Sequence, residues 1–167
     1  MKTTRTHTPA RLLLVAPLIL ALAGVAEAAD RKVYPGSMAI TWSGPAPAYY
    51  YGSVSNPSST SWMYVDLPVI NDDTTSGIDI SLVKVLDRHY SSDIRCSINT
   101  VYWNNSAGTF YGYWGPNAYS AGSSNTEQTL STGAASHGST RHEYFSCALP
   151  PTYSGNRSHI ISYTVEE

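Results

Sequence analysis

The chain has 167 residues, of which 42% are hydrophobic and only 13% charged, with a formal net charge of −2. It holds no basic cluster to neutralise phosphates, which excludes nucleic acid as an expected partner. Scarce charge beside abundant Ser, Thr, Asn, Gly and Tyr describes an exported β protein and not a disordered tail.

Lys2, Arg5 and Arg11 make a basic start, Leu12 to Val25 is apolar but too short to span a bilayer, and Ala26-Glu27-Ala28 is a small-x-small cleavage pattern. Residues 1–28 are therefore expected to be a signal peptide. Residues 29–167 are expected to form one domain, with seven Lys and Arg against eleven Asp and Glu. No Cys precedes Cys96, so no lipid-anchored Cys stands at the cut. No second apolar run occurs after Val25, so no membrane span is expected after cleavage. The expected location is extracellular or periplasmic.

Strands are predicted at 37–42, 48–54, 62–70, 82–90, 94–103, 109–114, 126–131, 141–149 and 159–165. Turn residues separate them, among them Gly44 to Pro47, Asn71-Asp72-Asp73, Asn104 to Gly108 and Pro150 to Asn156. Ile78, Leu82, Val85 and Leu86 also fit a helical stripe, but their β-branched neighbours fit a strand as well. The expected fold is all-β, a single antiparallel β-sandwich of eight or nine strands with one disulfide. An immunoglobulin type fits poorly. Position 145, two before Cys147, is Phe where the tyrosine corner needs Tyr, and Trp103 comes too soon after Cys96.

Cys96 and Cys147 are the two cysteines. Ile94 and Ile98 flank the first on one strand face, and Phe145 and Leu149 flank the second. Both sulfurs are thus expected to meet in one core, and an even count in an exported chain reads as a disulfide.

Residues 100–120 carry seven Tyr, Trp or Phe, packed around what reads as one hairpin. A five-residue loop at 104–108 would pair Trp103 with Thr109. Ile98, Tyr102, Phe110 and Trp114 then share the core face of Cys96. Trp103, Tyr111 and Tyr113 fall with Val101 on the other face. These three are the candidate ligand-binding residues. Two readings stand for them: aromatic pairs that suit a strand, or a flat platform for a glycan or a protein.

Other constellations carry less. Asp72, Asp73 and Asp79 gather around a turn, as calcium sites do, but the twelfth position counted from Asp72 is Val83 and not Glu. A solvated Asp-rich turn is the reading taken. Asp87 and His89, two apart, could orient an imidazole for general-base work, but no nucleophile elbow accompanies them. His142-Glu143 opens like a zinc-protease motif, yet Ser146 stands where the second His belongs. Ser81 and Lys84 match Ser-x-x-Lys without its partner motifs. His137 and His159 have no paired ligand at metal spacing. No catalytic residue, metal or cofactor is assigned.

The segments VYPGSM (33–38), DRHYSSD (87–93), VYWNNS (101–106) and PPTYSG (150–155) resemble those of a group of small exported bacterial proteins with no assigned function. The resemblance spans most of 29–167 and implies export and a β-rich fold. It also implies a second cysteine pair in that group, at positions held here by Ala39 and Leu67. These two are therefore expected to be close neighbours in the core. Parity suits Leu67, which alternates with Met63, Val65 and Val69. It suits Ala39 less, since Met38, Ile40 and Trp42 form the more apolar row.

The expected function is a secreted, non-catalytic binding or surface module for a glycan or a cell-surface protein. The rivals are a structural, self-associating surface protein and a small hydrolase using His89 and Asp87.

Overall fold

Alternating burial builds the molecule in two layers. In Met63–Pro68 and Ile80–Leu86 every second side chain is buried, the signature of strands with one face in a core. The computed structural model describes residues 30–72, 77–136 and 141–167. Among them are twelve strands, in chain order β1 (Arg31–Pro35), β2 (Ile40–Ser43), β3 (Ala48–Tyr50), β4 (Ser53–Ser55), β5 (Met63–Pro68), β6 (Ile80–Leu86), β7 (Arg95–Asn104), β8 (Thr109–Trp114), β9 (Ala118–Tyr119), β10 (Gln128–Ser131), β11 (Arg141–Leu149) and β12 (His159–Glu166). One turn of 3-10 helix, Gly36–Met38, stands between β1 and β2. The stripe at 78–86 is strand, as its β-branched residues favour.

All pairings are antiparallel. One sheet runs β10-β6-β12-β4-β3, with β1 also on β12, and the other runs β2-β5-β11-β7-β8, with β9 also on β7. The first sheet sends Val54, Val83, Val85, Ile160, Tyr163 and Val165 inward. The second answers with Met63, Val65, Leu67, Ile98, Phe145 and Leu149. Phe145 meets Tyr163 edge to face at 5.5 Å, and the Tyr163 hydroxyl donates to the Pro68 carbonyl at 2.7 Å. That bond satisfies the polar end of a buried ring. The fold is the expected all-β sandwich.

Cys96 and Cys147 are bonded and buried, with Cα atoms 4.2 Å apart. They stand directly opposite each other on β7 and β11. The bridge therefore joins neighbouring strands of one sheet. It does not cross between sheets as an immunoglobulin bridge does.

Several boundaries differ from expectation, each for a local reason. The predicted strand 48–54 is a hairpin, because Tyr51 and Gly52 adopt φ of 45° and 80° and turn the chain back. The predicted strand 82–90 stops at Leu86. β1, directly after the expected cleavage point, and the two-residue β9 were not expected.

The aromatic hairpin is one residue out of the expected register. Asn104 pairs with Thr109, Trp103 with Phe110, Tyr102 with Tyr111, and Asn99 with Trp114. Asn104 stays in the ladder while its side-chain oxygen accepts from the backbone N–H groups of Ser106 and Ala107, at 2.9 and 3.1 Å. The loop is thereby four residues long, and a one-residue slip moves one strand's side chains to the opposite face. Trp103 and Phe110 share the outer face, whereas Tyr111 and Tyr113 lie with Tyr102 on the face of Cys96. Phe110 and Trp114 are correspondingly exposed and not core.

Ala39 and Leu67 are both buried in the core. The β2–β5 register, Ile40 with Asp66 and Thr41 with Val65, extends to place Ala39 opposite Leu67. Ile40 and Trp42, from the more apolar row, are the exposed ones.

Candidate functional site

The outer face of the second sheet is a shallow groove. Its rows are set by the register. Ile40, Asp66, Ser146 and Ser97 stand side by side, and the next row is Pro68, Tyr144, Asn99 and Trp114. His142, Val101 and Gly112 come next, and Trp103 with Phe110 closes that end. At the other end Trp42 leaves the ladder at a bulge in β2 and packs on Tyr64, ring centroids 5.3 Å apart. Two hollows share this face. One of about 490 Å³ lies among Ile40, Asp66, Val101, Phe110 and Tyr144, and one of about 230 Å³ lies between Trp42 and Trp114.

Aromatic rings flank the groove and hydrogen-bonding groups floor it. Trp42, Trp114 and Phe110 are 59%, 64% and 66% exposed. Gly112 makes room for Trp114, since a Cβ there would collide with the indole. On the floor, the Asp66 carboxylate accepts from the Ser146 hydroxyl and the Trp42 indole N–H. Burial pushes the Asp66 carboxyl up, against the pull of those two bonds. Burial also raises the Tyr144 phenol, and the Asp66 charge adds to it. The Ser97 hydroxyl donates to Asn99 Oδ1 at 3.1 Å. Asn99 Nδ2 is enclosed and makes no hydrogen bond of good geometry, although it lies near enough to Tyr144 to favour the ionised phenol.

Of the three expected ligand residues, the structure brings only Trp103 to this face, in edge-to-face contact with Phe110. Tyr111 and Tyr113 lie on the opposite face, around a hollow of about 280 Å³ shared with Tyr102 and Arg141. There the Arg141 guanidinium sits 5.2 Å from the Tyr102 ring centroid.

Asp87 and His89 do not form a dyad. Asp87 is fully buried and accepts from the His89 backbone N–H at 2.9 Å, from the Ser158 hydroxyl at 3.0 Å, and from the Ser120 hydroxyl. The His89 Nδ1 instead accepts from the Ser91 backbone N–H at 3.2 Å. The strand has already ended, so their spacing of two does not align their side chains.

The other constellations disperse. Asp72 joins Asp30 and Glu167 around the Lys32 ammonium, which lies 3.2 Å from Asp30 and 2.8 Å from Glu167. Burial works against the Lys32 charge, but the three carboxylates prevail and hold its pKa above the usual value. Asp79 is exposed, and its backbone N–H donates to Glu166. Asp73 and His137 lie outside the described residues. His142 and Glu143 point to opposite faces of β11, as neighbours on a strand must. Ser81 bonds Thr132 while Lys84 pairs with Glu127, so the Ser-x-x-Lys string brings no pair together.

The residues that sequence reasoning missed are Trp42, Trp114, Asp66, Tyr144 and Asn99. One signal was available. β2 carries large apolar residues at 40 and 42 and small ones at 39 and 41, and a two-sided strand of that kind must expose one row.

No family model and no curated protein matches the chain. Among solved structures it is similar to a family two carbohydrate esterase from Cellvibrio japonicus, with 8% identity and a TM-score of 0.47 over 83% of this chain. The chain spans only 34% of that esterase. It is also similar to the CBM36-1 domain of a multidomain xylanase from the hindgut metagenome of Trinervitermes trinervoides. There the identity is 12% and the TM-score 0.45, over 83% of this chain and 97% of that one. A third is a carbohydrate-binding module CBM36 in complex with calcium and xylotriose, at 10% identity and a TM-score of 0.43, over 81% of this chain and 99% of that one.

Proposed function

We propose that the protein is a non-catalytic glycan-binding module whose ligand lies in the groove of the second sheet. The observation that carries this reading is the pair of exposed indoles, Trp42 and Trp114, on either side of a floor made of Asp66, Tyr144, Ser146, Asn99 and Ser97. A sugar ring has an apolar C–H face and a rim of hydroxyls. Flanking rings suit the first and a polar floor suits the second. Asp66, Glu143, Arg95 and His142 are the ionisable groups lining the two hollows beside the Tyr144 and Tyr64 phenols, and no cluster of one sign calls for a charged ligand. The Asp87 carboxylate, spent on Ser120, Ser158 and a backbone N–H, supports the non-catalytic part. The bonded cysteines support work outside the cytoplasm.

Affinity electrophoresis through gels of neutral polysaccharides, with a glycan array, tests this reading. The wild-type protein should be retarded by at least one neutral polysaccharide. Trp42→Ala and Trp114→Ala should each weaken binding about tenfold or more, since a buried aromatic anchor typically costs about 2 kcal/mol when truncated. Tyr113→Ala, on the opposite face, should bind as wild type. Equal retardation of the Trp42→Ala/Trp114→Ala double variant would overturn the assignment.

One observation favours a second reading. β8 is an edge strand, all six of its residues are exposed, and it contains neither Lys nor Pro. Such an edge is a template for pairing with another copy. Self-association through β8 would appear as a concentration-dependent mass in sedimentation that Tyr111→Lys abolishes.

A further inference from the structure

A further pocket lies on the first sheet. It is a hollow of about 290 Å³ lined by Tyr49, Tyr50, Arg88, Asn156, Arg157 and His159. Two chain segments bring the cationic residues together. Arg88 comes just after the end of β6, Arg157 precedes β12, and His159 opens β12. The segment before Arg157 is a tight turn. Tyr153 and Asn156 exchange both backbone hydrogen bonds, at 3.1 and 2.9 Å, around Ser154 and Gly155, whose φ values are 50° and 76°. Tyr153 also stacks on Tyr90 at 5.9 Å and lies 5.3 Å from His89, so the turn is anchored.

Two guanidinium groups in one hollow call for negative charge. Among the described residues, neither Arg88 nor Arg157 makes an ion pair. The Arg88 Nε is buried with no hydrogen-bond partner. Nε is enclosed, so what the hollow leaves unmet is the charge of the two guanidinium groups, which a bound anion would balance. Asp87, next to Arg88 in the chain, is turned to Ser120, Ser158 and the His89 N–H and neutralises neither arginine.

The imidazole is already oriented. The Ser53 hydroxyl donates to the Tyr50 carbonyl at 2.6 Å, so its contact with His159 Nδ1 at 3.1 Å makes it the acceptor there. Nδ1 therefore carries a proton, and Nε2 becomes a donor only when the ring is charged. Burial, then Arg88 and Arg157, lower the His159 pKa.

We propose that this pocket binds an oxyanion, a carboxylate or a sulfate, between the Arg88 and Arg157 guanidinium groups, with His159 as a third donor once protonated. Arginine forks match both groups through paired N–H···O bonds. Tyr49 and Tyr50 are the other titratable side chains lining the hollow, and no carboxylate lines it. By linkage, an anion that binds the protonated form more tightly must raise the titration midpoint of His159. The inference concerns a different sheet from the groove and stands whether or not the groove binds glycans.

The experiment is an NMR titration of the His159 ring between pH 4 and 8, with glucuronic acid, sodium sulfate, or sodium chloride at matched ionic strength. Calorimetry at pH 5.5 accompanies it. Glucuronate or sulfate should bind saturably and move the His159 midpoint upward by more than chloride does. Arg157→Gln, an exposed change that leaves the core intact, should weaken binding about tenfold, and Arg88→Gln should do the same. A response to one of the two probes identifies the anion. A shift no larger than that with chloride, or full affinity in Arg157→Gln, overturns the proposal.

Discussion

Trp103 stands directly across from Phe110, edge to face, with ring centroids 4.9 Å apart. On the opposite face of the same hairpin Tyr102 stacks with Tyr111 at 5.9 Å. Each pair is worth about 0.5–1.5 kcal/mol beyond area burial. The two pairs lock the four-residue turn and divide the hairpin's rings between two surfaces. One set closes the end of the groove, and the other gathers around Arg141.

Removing the Asp87 carboxylate is a structural lesion. Asp87→Ala strands the Ser158 hydroxyl and the His89 N–H in a buried place and leaves the Ser120 hydroxyl only the Ile94 carbonyl, at 3.4 Å. The expected loss is about 3 kcal/mol, at about 1 kcal/mol or more for each stranded donor. Urea denaturation checks it. A variant as stable as wild type would contradict the account.

The disulfide closes a separation of 51 residues. By the chain-entropy model this contributes about 4 kcal/mol. The Cys96→Ala/Cys147→Ala variant should show that order of loss in denaturant. The native protein, with both sulfurs buried, should yield no labelled thiol. Two labelled thiols would refute the bridge.

Acid should weaken the fold in part through His159. Burial and the two nearby arginines lower its folded pKa below the unfolded value of 6.5. The unfolded chain then takes up the proton first as pH falls. The stability contribution is complete above about 6.5 and is lost as pH drops through the folded pKa. Denaturation midpoints at pH 7.5 and 5 should differ less in His159→Asn than in wild type. An unchanged difference would exclude this residue as a cause.

Ala39→Cys with Leu67→Cys should form a second bridge. The two positions face each other across the β2–β5 register, and both are buried. Oxidation of the double variant should raise Tm above that of its reduced form by several degrees, as a gain of about 2 kcal/mol would. Two persistent free thiols under oxidising conditions would show that the pair does not meet.

Strand parity made much of the sandwich legible. β8 and β11 begin and end where alternation and turn residues place them, and the apolar neighbours of Cys96 and Cys147 announced the bridge. The features that escaped depend on single side chains acting on backbone. Asn104 holds its own turn and so shortens the loop, which flips half of the hairpin's rings. Trp42 leaves its ladder at a bulge, which parity does not foresee. The groove escaped for a further reason. Its large apolar residues are on the outside, and patterning assigns such residues to a core.

β1 and β12 lie side by side in opposite directions, Arg31 across from Glu166. Tension applied between residues 31 and 166 would therefore open this pair one rung at a time, like a zip, and never load all its hydrogen bonds together. The covalent link between β7 and β11 lies off that line of force. The sheet bearing the groove is thus the mechanically sheltered half of the molecule, and the sheet bearing the arginine pocket is the half that yields first under pull.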